Sequence, residues 1–409
     1  MQSSSQEKLK ASNQQPMTRE RTAARLIWLD GAKGISIIWI VFFHFFNTYT
    51  NSKLASPVAP HFFATFFESC AHSTPLAVAR CAGESLFVGL SYLGFHAVAV
   101  FLVASGFGLT YSLAGRGNPA GGWKGWYRAR VIRLYPMYWL AHLVFLVAPF
   151  QFKPEPIDYR FWLSFAGDRV YPLRSIFYYA NSAWWYFTLI LQLYLVFPFL
   201  FRLLQKTGVK WFLILCALET VLSRYLILAV LGGSSRWVQG GFFGCRLWEF
   251  ALGMALGMTE HESAGALEEL ILSLRGVVFG VAIYGVGLYT YGSALTNTVT
   301  DALTGTGLFL ILSNLASVSD AARGRLGAAL VYAGTYSYGL YLLHEPFVVY
   351  LGIWMRWMGM PMFVASAFVI IALMVVVSAQ IERYVNDSTK RILNRGVSTV
   401  VPAASREPG

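Results

Sequence analysis

Charge is scarce in this sequence. Only 13% of its 409 residues are charged while 56% are hydrophobic, and the mean hydropathy is +0.52. Soluble domains carry about a quarter charged residues, so the shortage excludes an ordinary soluble enzyme. A polar stretch long enough for a separate soluble domain is missing, as is any long internal repeat. The apolar runs also lack the two-residue alternation of outer-membrane strands. Acidic residues are fewest, 20 against 32 basic ones, giving a net charge of +12. No basic module or base-stacking motif accompanies that excess, so nucleic acid is not an expected partner. Cysteines number four. No His or Cys spacing suits a metal site, His61 and His72 included, and no metal is expected.

What remains is a succession of apolar runs long enough to span a bilayer. They fall near 34–50, 93–114, 132–150, 183–201, 211–231, 240–258, 272–292, 298–318, 328–351 and 361–381. The expected fold is all-α, a polytopic membrane bundle of about ten transmembrane helices. With ten spans, the basic clusters at Lys8–Arg25, Arg116–Arg133, Arg202–Lys210, Arg323–Arg325 and Arg383–Arg395 share one side. The positive-inside rule makes that side, and both termini, cytoplasmic.

Residues 1–25 are polar and basic, with neither an apolar core nor a small-residue cleavage site. They read as a disordered cytoplasmic tail, not a signal peptide. Residues 26–384 form the membrane domain and 385–409 a cytoplasmic C-terminal tail. The first external loop, about 51–92, holds Cys70 and Cys81. Thiols oxidise readily outside the cytoplasm, so a disulfide and two free thiols are both open readings. Cys216 and Cys245 fall within apolar helices and read as inert filler. The aromatic loop 151–182 is open to two readings, a segment lying in the membrane interface or a platform for a sugar or lipid acceptor.

The chemistry concentrates in Trp28–Asn47, a spanning segment with Asp30, Lys33 and His44. An intramembrane ionisable residue is a functional-site hypothesis by default. Lys33 and His44 are eleven positions apart, which at about 100° per residue is three turns plus about 20°. They share a face, about 16 Å apart along the axis, and Asp30 and Asn47 extend the stripe. A buried neutral imidazole is the state a general base needs. Arg130 and Arg133 lie three apart at the cytoplasmic mouth of the third span. They read either as ordinary anchors or as a clamp for the phosphates of a cosubstrate. Ser105-Gly106 allows close helix approach. Arg246 and Glu249, three apart, are expected to pair structurally. Gln192, Tyr194, His344 and Glu345 are further buried polar candidates, with the last two pointing different ways around one helix.

Taken in order, LDGAKGISIIWIVFFHFF, SGF at 105–107, Arg130-x-x-Arg133, the text at 185–198, YSYGLYLLH at 336–344 and IERY at 381–384 resemble the motifs of acyltransferase family 3. These are multi-pass membrane O-acyltransferases, and the likeness covers nearly the whole chain. It implies transfer of an acyl group, acetyl first, from cytoplasmic acyl-CoA to a hydroxyl on an extracytoplasmic glycan or glycolipid. The membrane would be the bacterial inner membrane. His44 would be the catalytic histidine, and Lys33, Arg130 and Arg133 would bind or position the donor. Asp30, Ser105, Gln192, Tyr194, His344 and Glu345 form a second rank. Ser105 and Tyr194 are the candidates for stabilising the oxyanion. Many members carry acidic residues where Ile190 and Leu191 stand here, which leaves the acceptor class open. The competing reading is an exporter of a lipid-linked sugar, since buried charges also mark transport paths. A non-catalytic scaffold would leave the charged stripe unexplained.

Overall fold

The computed structural model describes residues 27–51, 58, 68, 70, 74–115, 117–119, 121–147, 156–321 and 324–398. The tail 1–25, His61 and His72 lie outside these. Among the described residues every regular element is helical. The long ones are α1 (Ile27–Thr50), α2 (Pro75–Tyr92), α3 (Val98–Leu113), α4 (Gly122–Val147), α5 (Tyr159–Ala166), α6 (Trp185–Tyr225), α7 (Leu247–Glu262), α8 (Leu274–Tyr289), α9 (Thr300–Ala321), α10 (Arg325–Thr335), α11 (Ser337–Trp354) and α12 (Met360–Ser398).

Six stretches among the described residues are long and apolar enough to cross a membrane: Ile27–Thr50, Pro75–Leu113, Ser182–Val230, Leu274–Gly292, Thr300–Val318 and Met360–Ile392. Large apolar side chains stand exposed along α6, α8 and α12, among them Phe199, Leu218, Val278, Phe279, Val369 and Val377. A soluble surface does not carry faces of that extent; facing lipid they need no protein cover. The chain is a multi-pass helical membrane protein.

The segments differ from expectation where local backbone intervenes. The second half of the loop 51–92 is helical: α2 starts on Pro75, whose missing N–H does no harm in a first turn. It continues through a tight turn at Leu93–Ala97 into α3. The runs 183–201 and 211–231 sit on one long element interrupted at Gly208, where φ is 75°. The run 328–351 is divided into α10 and α11 at Tyr336 (φ −105°, ψ 24°). The last helix runs on to Ser398, past the expected limit of the membrane domain at 384. Cys70 and Cys81 are joined by a disulfide with their Cα atoms 5.8 Å apart.

α1 is the central helix and packs against α9, α10 and α11. Ile37, Ile40, Val41, Phe45 and Phe46 on it are buried. Its close approach to α10 depends on glycine: a Cβ on Gly334 would overlap the Asp30 carbonyl, and one on Gly34 the Leu330 carbonyl. Small residues let membrane helices come together in this way, where lipid removes the hydrophobic drive. The SGF motif works alike, with Gly106 of α3 against the Phe250 carbonyl of α7.

Gly334→Leu is therefore expected to separate α1 from α10. Overpacking costs about 1–3 kcal/mol or more, read as a lowered unfolding temperature in detergent. Gly285→Leu, where a side chain meets open space, should leave that temperature unchanged.

Candidate functional site

A cavity of about 640 Å³ lies between the second half of α1 and the leading ends of α3, α6, α7 and α9. His44 and Asn47, one turn apart, line it together. Trp185, Tyr178, Tyr291 and Tyr341 give the wall aromatic surface, and Ser182, Gln239 and Asn297 supply polar groups. Apolar lining with a few convergent polar groups is the usual make-up of a small-molecule site.

Behind His44 stands His344 of α11, completely buried, with ring centres 5.2 Å apart. The His344 Nδ1 lies 2.8 Å from the Tyr341 carbonyl and 3.2 Å from that of Leu340. The neighbouring Glu345 turns elsewhere. Its carboxylate accepts the Ser182 hydroxyl and, at 2.8 Å, the Ala183 N–H. It thus anchors the start of α6.

One wall is a set of buried charges. Arg224 donates to the Asp301 carboxylate and to Asn297, at 2.6 Å to the side-chain oxygen and 2.8 Å to the carbonyl. Arg246 stands 2.8 Å from Glu249 and 3.4 Å from Asp301. Two guanidinium groups thus meet two carboxylates, from α6, the turn before α7, α7 itself and α9. A buried ion costs several kcal/mol unless paired, so the set is neutral as a whole. His96 stands nearby, held between the Tyr284 hydroxyl at 2.8 Å and that of Tyr291 at 2.7 Å. Among the described histidines, His44 and His96 therefore line one cavity.

Gln192 grips the segment before Arg246: it accepts the Phe243 N–H at 3.0 Å and donates to the Gly241 carbonyl at 3.3 Å. Arg169, fully buried, does the same for the loop over the cavity, donating to the carbonyls of Phe177 (3.0 Å) and Tyr179 (2.7 Å) and to the Ser164 hydroxyl (2.9 Å). The loop's one regular helix beyond a single turn is α5, amphipathic, with Phe161 buried and Trp162 outside.

At the other end of the bundle Lys33 is ion-paired to Asp30 at 2.6 Å. Arg130 is half-buried over the Trp126 ring, 5.1 Å from its centre, and Arg133 is exposed. Glu382 accepts the Gly339 N–H at 2.8 Å. Lys33, Arg130 and Arg133 are not among the cavity-lining residues. A row of phenols lies between the two ends. Tyr341 on the cavity wall meets Tyr186 edge-on at 5.5 Å, and Ser105 stands beside the hydroxyls of both Tyr186 and Tyr194.

Residues 26–382 match the model of the acyltransferase-domain family. The chain belongs to acyltransferase family 3. No curated protein and no solved structure matches it. As a member of that family it is a membrane acyltransferase. Of the charged residues lining this acyltransferase's cavity, Arg224 and Asp301 were not singled out from sequence. Arg246 and Glu249 were read as a local pair, without Arg224, Asp301 or His96. The signal existed, since Arg224 and Asp301 each interrupt an apolar run of spanning length.

Asp301→Asn would leave Arg224 and Arg246 without their shared counter-charge. Removing one partner of a buried ion set costs about 3–5 kcal/mol. Thermal unfolding of the purified protein should shift down accordingly, and an unchanged transition would contradict the pairing.

Proposed function

We propose that this acyltransferase moves an acetyl group from cytoplasmic acetyl-CoA to a hydroxyl of an extracytoplasmic glycan or glycolipid, with His44 as general base. The observation that carries the reading is His44 on the wall of an aromatic and polar cavity, with Lys33, paired to Asp30, about three turns away along the same helix. The basic residues of the loops favour the cation end as the cytoplasmic one. On this reading the chain crosses a bacterial inner membrane an even number of times, with both termini inside.

The coenzyme A phosphates stay with Arg130 and Arg133, whose guanidinium groups suit phosphate. Lys33 exchanges its Asp30 partner for the donor or holds the mouth positive. The pantetheine arm extends inward past Tyr194 and Tyr186, whose rings rotate to let it by. The acceptor enters the cavity from outside and lies against Trp185 and Tyr178. His44 takes the hydroxyl proton as the oxygen bonds to the thioester carbonyl carbon. The carbon–sulfur bond then breaks, and the coenzyme A thiolate leaves with the proton from His44. Ser105 and Tyr194, with Tyr186 also beside Ser105, are the hydroxyl donors this reading assigns to the developing oxyanion.

The test uses membrane vesicles and labelled acetyl-CoA, with label incorporated into external glycan as the readout. His44→Ala should lower the rate about 10²–10⁴-fold, the share of a positioned general base. Arg130→Glu with Arg133→Glu should raise KM for acetyl-CoA about tenfold or more, as charge-assisted hydrogen bonds are lost, with less effect on kcat. Wild-type rates in His44→Ala would remove the base from the mechanism, and an unchanged KM in the double variant would remove the phosphate clamp.

A further inference from the structure

We propose that His344 is the positioning residue for His44. Its Nε2 accepts the N–H of the His44 imidazole, directly or through one water. This fixes which His44 nitrogen presents a free lone pair to the cavity. The inference rests on reading His44 as the base and adds the group that orients it.

The proton on His344 has a fixed place. Both groups near its Nδ1 are backbone carbonyls of its own helix, at 2.8 and 3.2 Å. Carbonyl oxygens only accept, so Nδ1 carries the hydrogen. In a neutral imidazole the other nitrogen is then a bare acceptor. That nitrogen, Nε2, is buried and lacks a hydrogen-bond partner among the described residues. Leaving a buried acceptor unsatisfied is unfavourable by about 1–3 kcal/mol, so a donor is called for. Since Nδ1 is turned back on α11, Nε2 points away from that helix. His44 lies against the same ring, its centre 5.2 Å away and its plane inclined by 53°. This separation leaves room for a nitrogen-to-nitrogen hydrogen bond of about 3 Å.

Other donors close by are committed. The Tyr341 hydroxyl donates to the Ala183 carbonyl, and the Ser182 hydroxyl to Glu345. The rotation of α11 is also fixed. Pro346 has no N–H for the Leu342 carbonyl four residues back. That carbonyl instead accepts Trp184 Nε1 at 2.9 Å and Asn181 Nδ2 at 3.4 Å. His344 is therefore pointed by a helix that cannot turn without losing these bonds.

The result is a directed chain running from the Tyr341 carbonyl through His344 to His44 and on to the acceptor hydroxyl. When His44 takes the proton it becomes an imidazolium with two N–H groups. One faces the cavity and the other faces the His344 lone pair, which stabilises the cation. Hydrolase triads give this task to a carboxylate. Within a bilayer a neutral lone pair does it without burying another ion.

The experiment compares the wild type, His344→Ala, His344→Gln and His44→Ala in the vesicle assay. It is combined with nitrogen-15 NMR of histidine-labelled protein in detergent. The tip of Gln can return an acceptor to the Nε2 position, whereas Ala cannot. His344→Ala should lower kcat about 10–100-fold, the range for residues that orient a catalytic group, with KM for acetyl-CoA unchanged. It should also replace the single His44 tautomer by a mixture. His344→Gln should recover kcat to within about fivefold of wild type and restore one tautomer. Wild-type kcat with an unaltered His44 signal in His344→Ala would overturn the inference. So would a Gln variant no better than Ala while the tautomer stays single in both. If His44→Ala alone keeps full activity, the base assignment fails, and the tautomer signals still report whether the two rings are bonded.

Discussion

A charge buried among membrane helices stays only where an opposite charge meets it. In this protein four such side chains, Arg224, Arg246, Glu249 and Asp301, come together from three helices and the turn before α7. Much of the architecture follows from that meeting. It ties α6, α7 and α9 together at one end of the bundle, and these helices bound the cavity that His44 faces. Gln192 and Arg169 extend the same logic by holding irregular backbone in place through its carbonyls. The glycine contacts of α1 with α10 and of α3 with α7 then bring the remaining wall close enough to close the space.

Acyl transfer across a bilayer poses a problem of reach. On the proposed reading the two substrates approach from opposite faces of a barrier about 30 Å thick. The bundle answers with two polar ends and a short apolar-to-phenolic middle. Lys33, paired to Asp30, and Arg130, over the Trp126 ring, lie off the cavity, while His44 faces it and Tyr341 on its wall meets Tyr186. A barrier of phenols can exclude water while the donor is absent and part when its flexible arm arrives. Such gating protects a thioester from hydrolysis.

The sequence was most readable where one helix carries the whole message. The Arg246–Glu249 pair, three positions apart, was expected from local spacing alone and is an ion pair at 2.8 Å. It was least readable where chains distant in sequence meet. Arg224 finds Asp301 across 77 positions and Ser182 finds Glu345 across 163, and no periodicity announces such partners. Helix boundaries were blurred for a different reason. Hydropathy does not register a single backbone departure such as Gly208 or Tyr336, and it treats the helical half of the loop before Leu93 as merely polar. The family resemblance carried across these gaps because its motifs span nearly the whole chain.

The most direct test of the account is a structure of the protein in lipid nanodiscs with a non-hydrolysable acetyl-CoA analogue. The account predicts phosphate density against Arg130 and Arg133, pantetheine density displacing the Tyr194 and Tyr186 rings, and the acyl carbon within about 4 Å of a His44 nitrogen, near-attack range. An analogue bound with its phosphates in the outer cavity, or with its acyl group remote from His44 while the phenols stay closed, would contradict it.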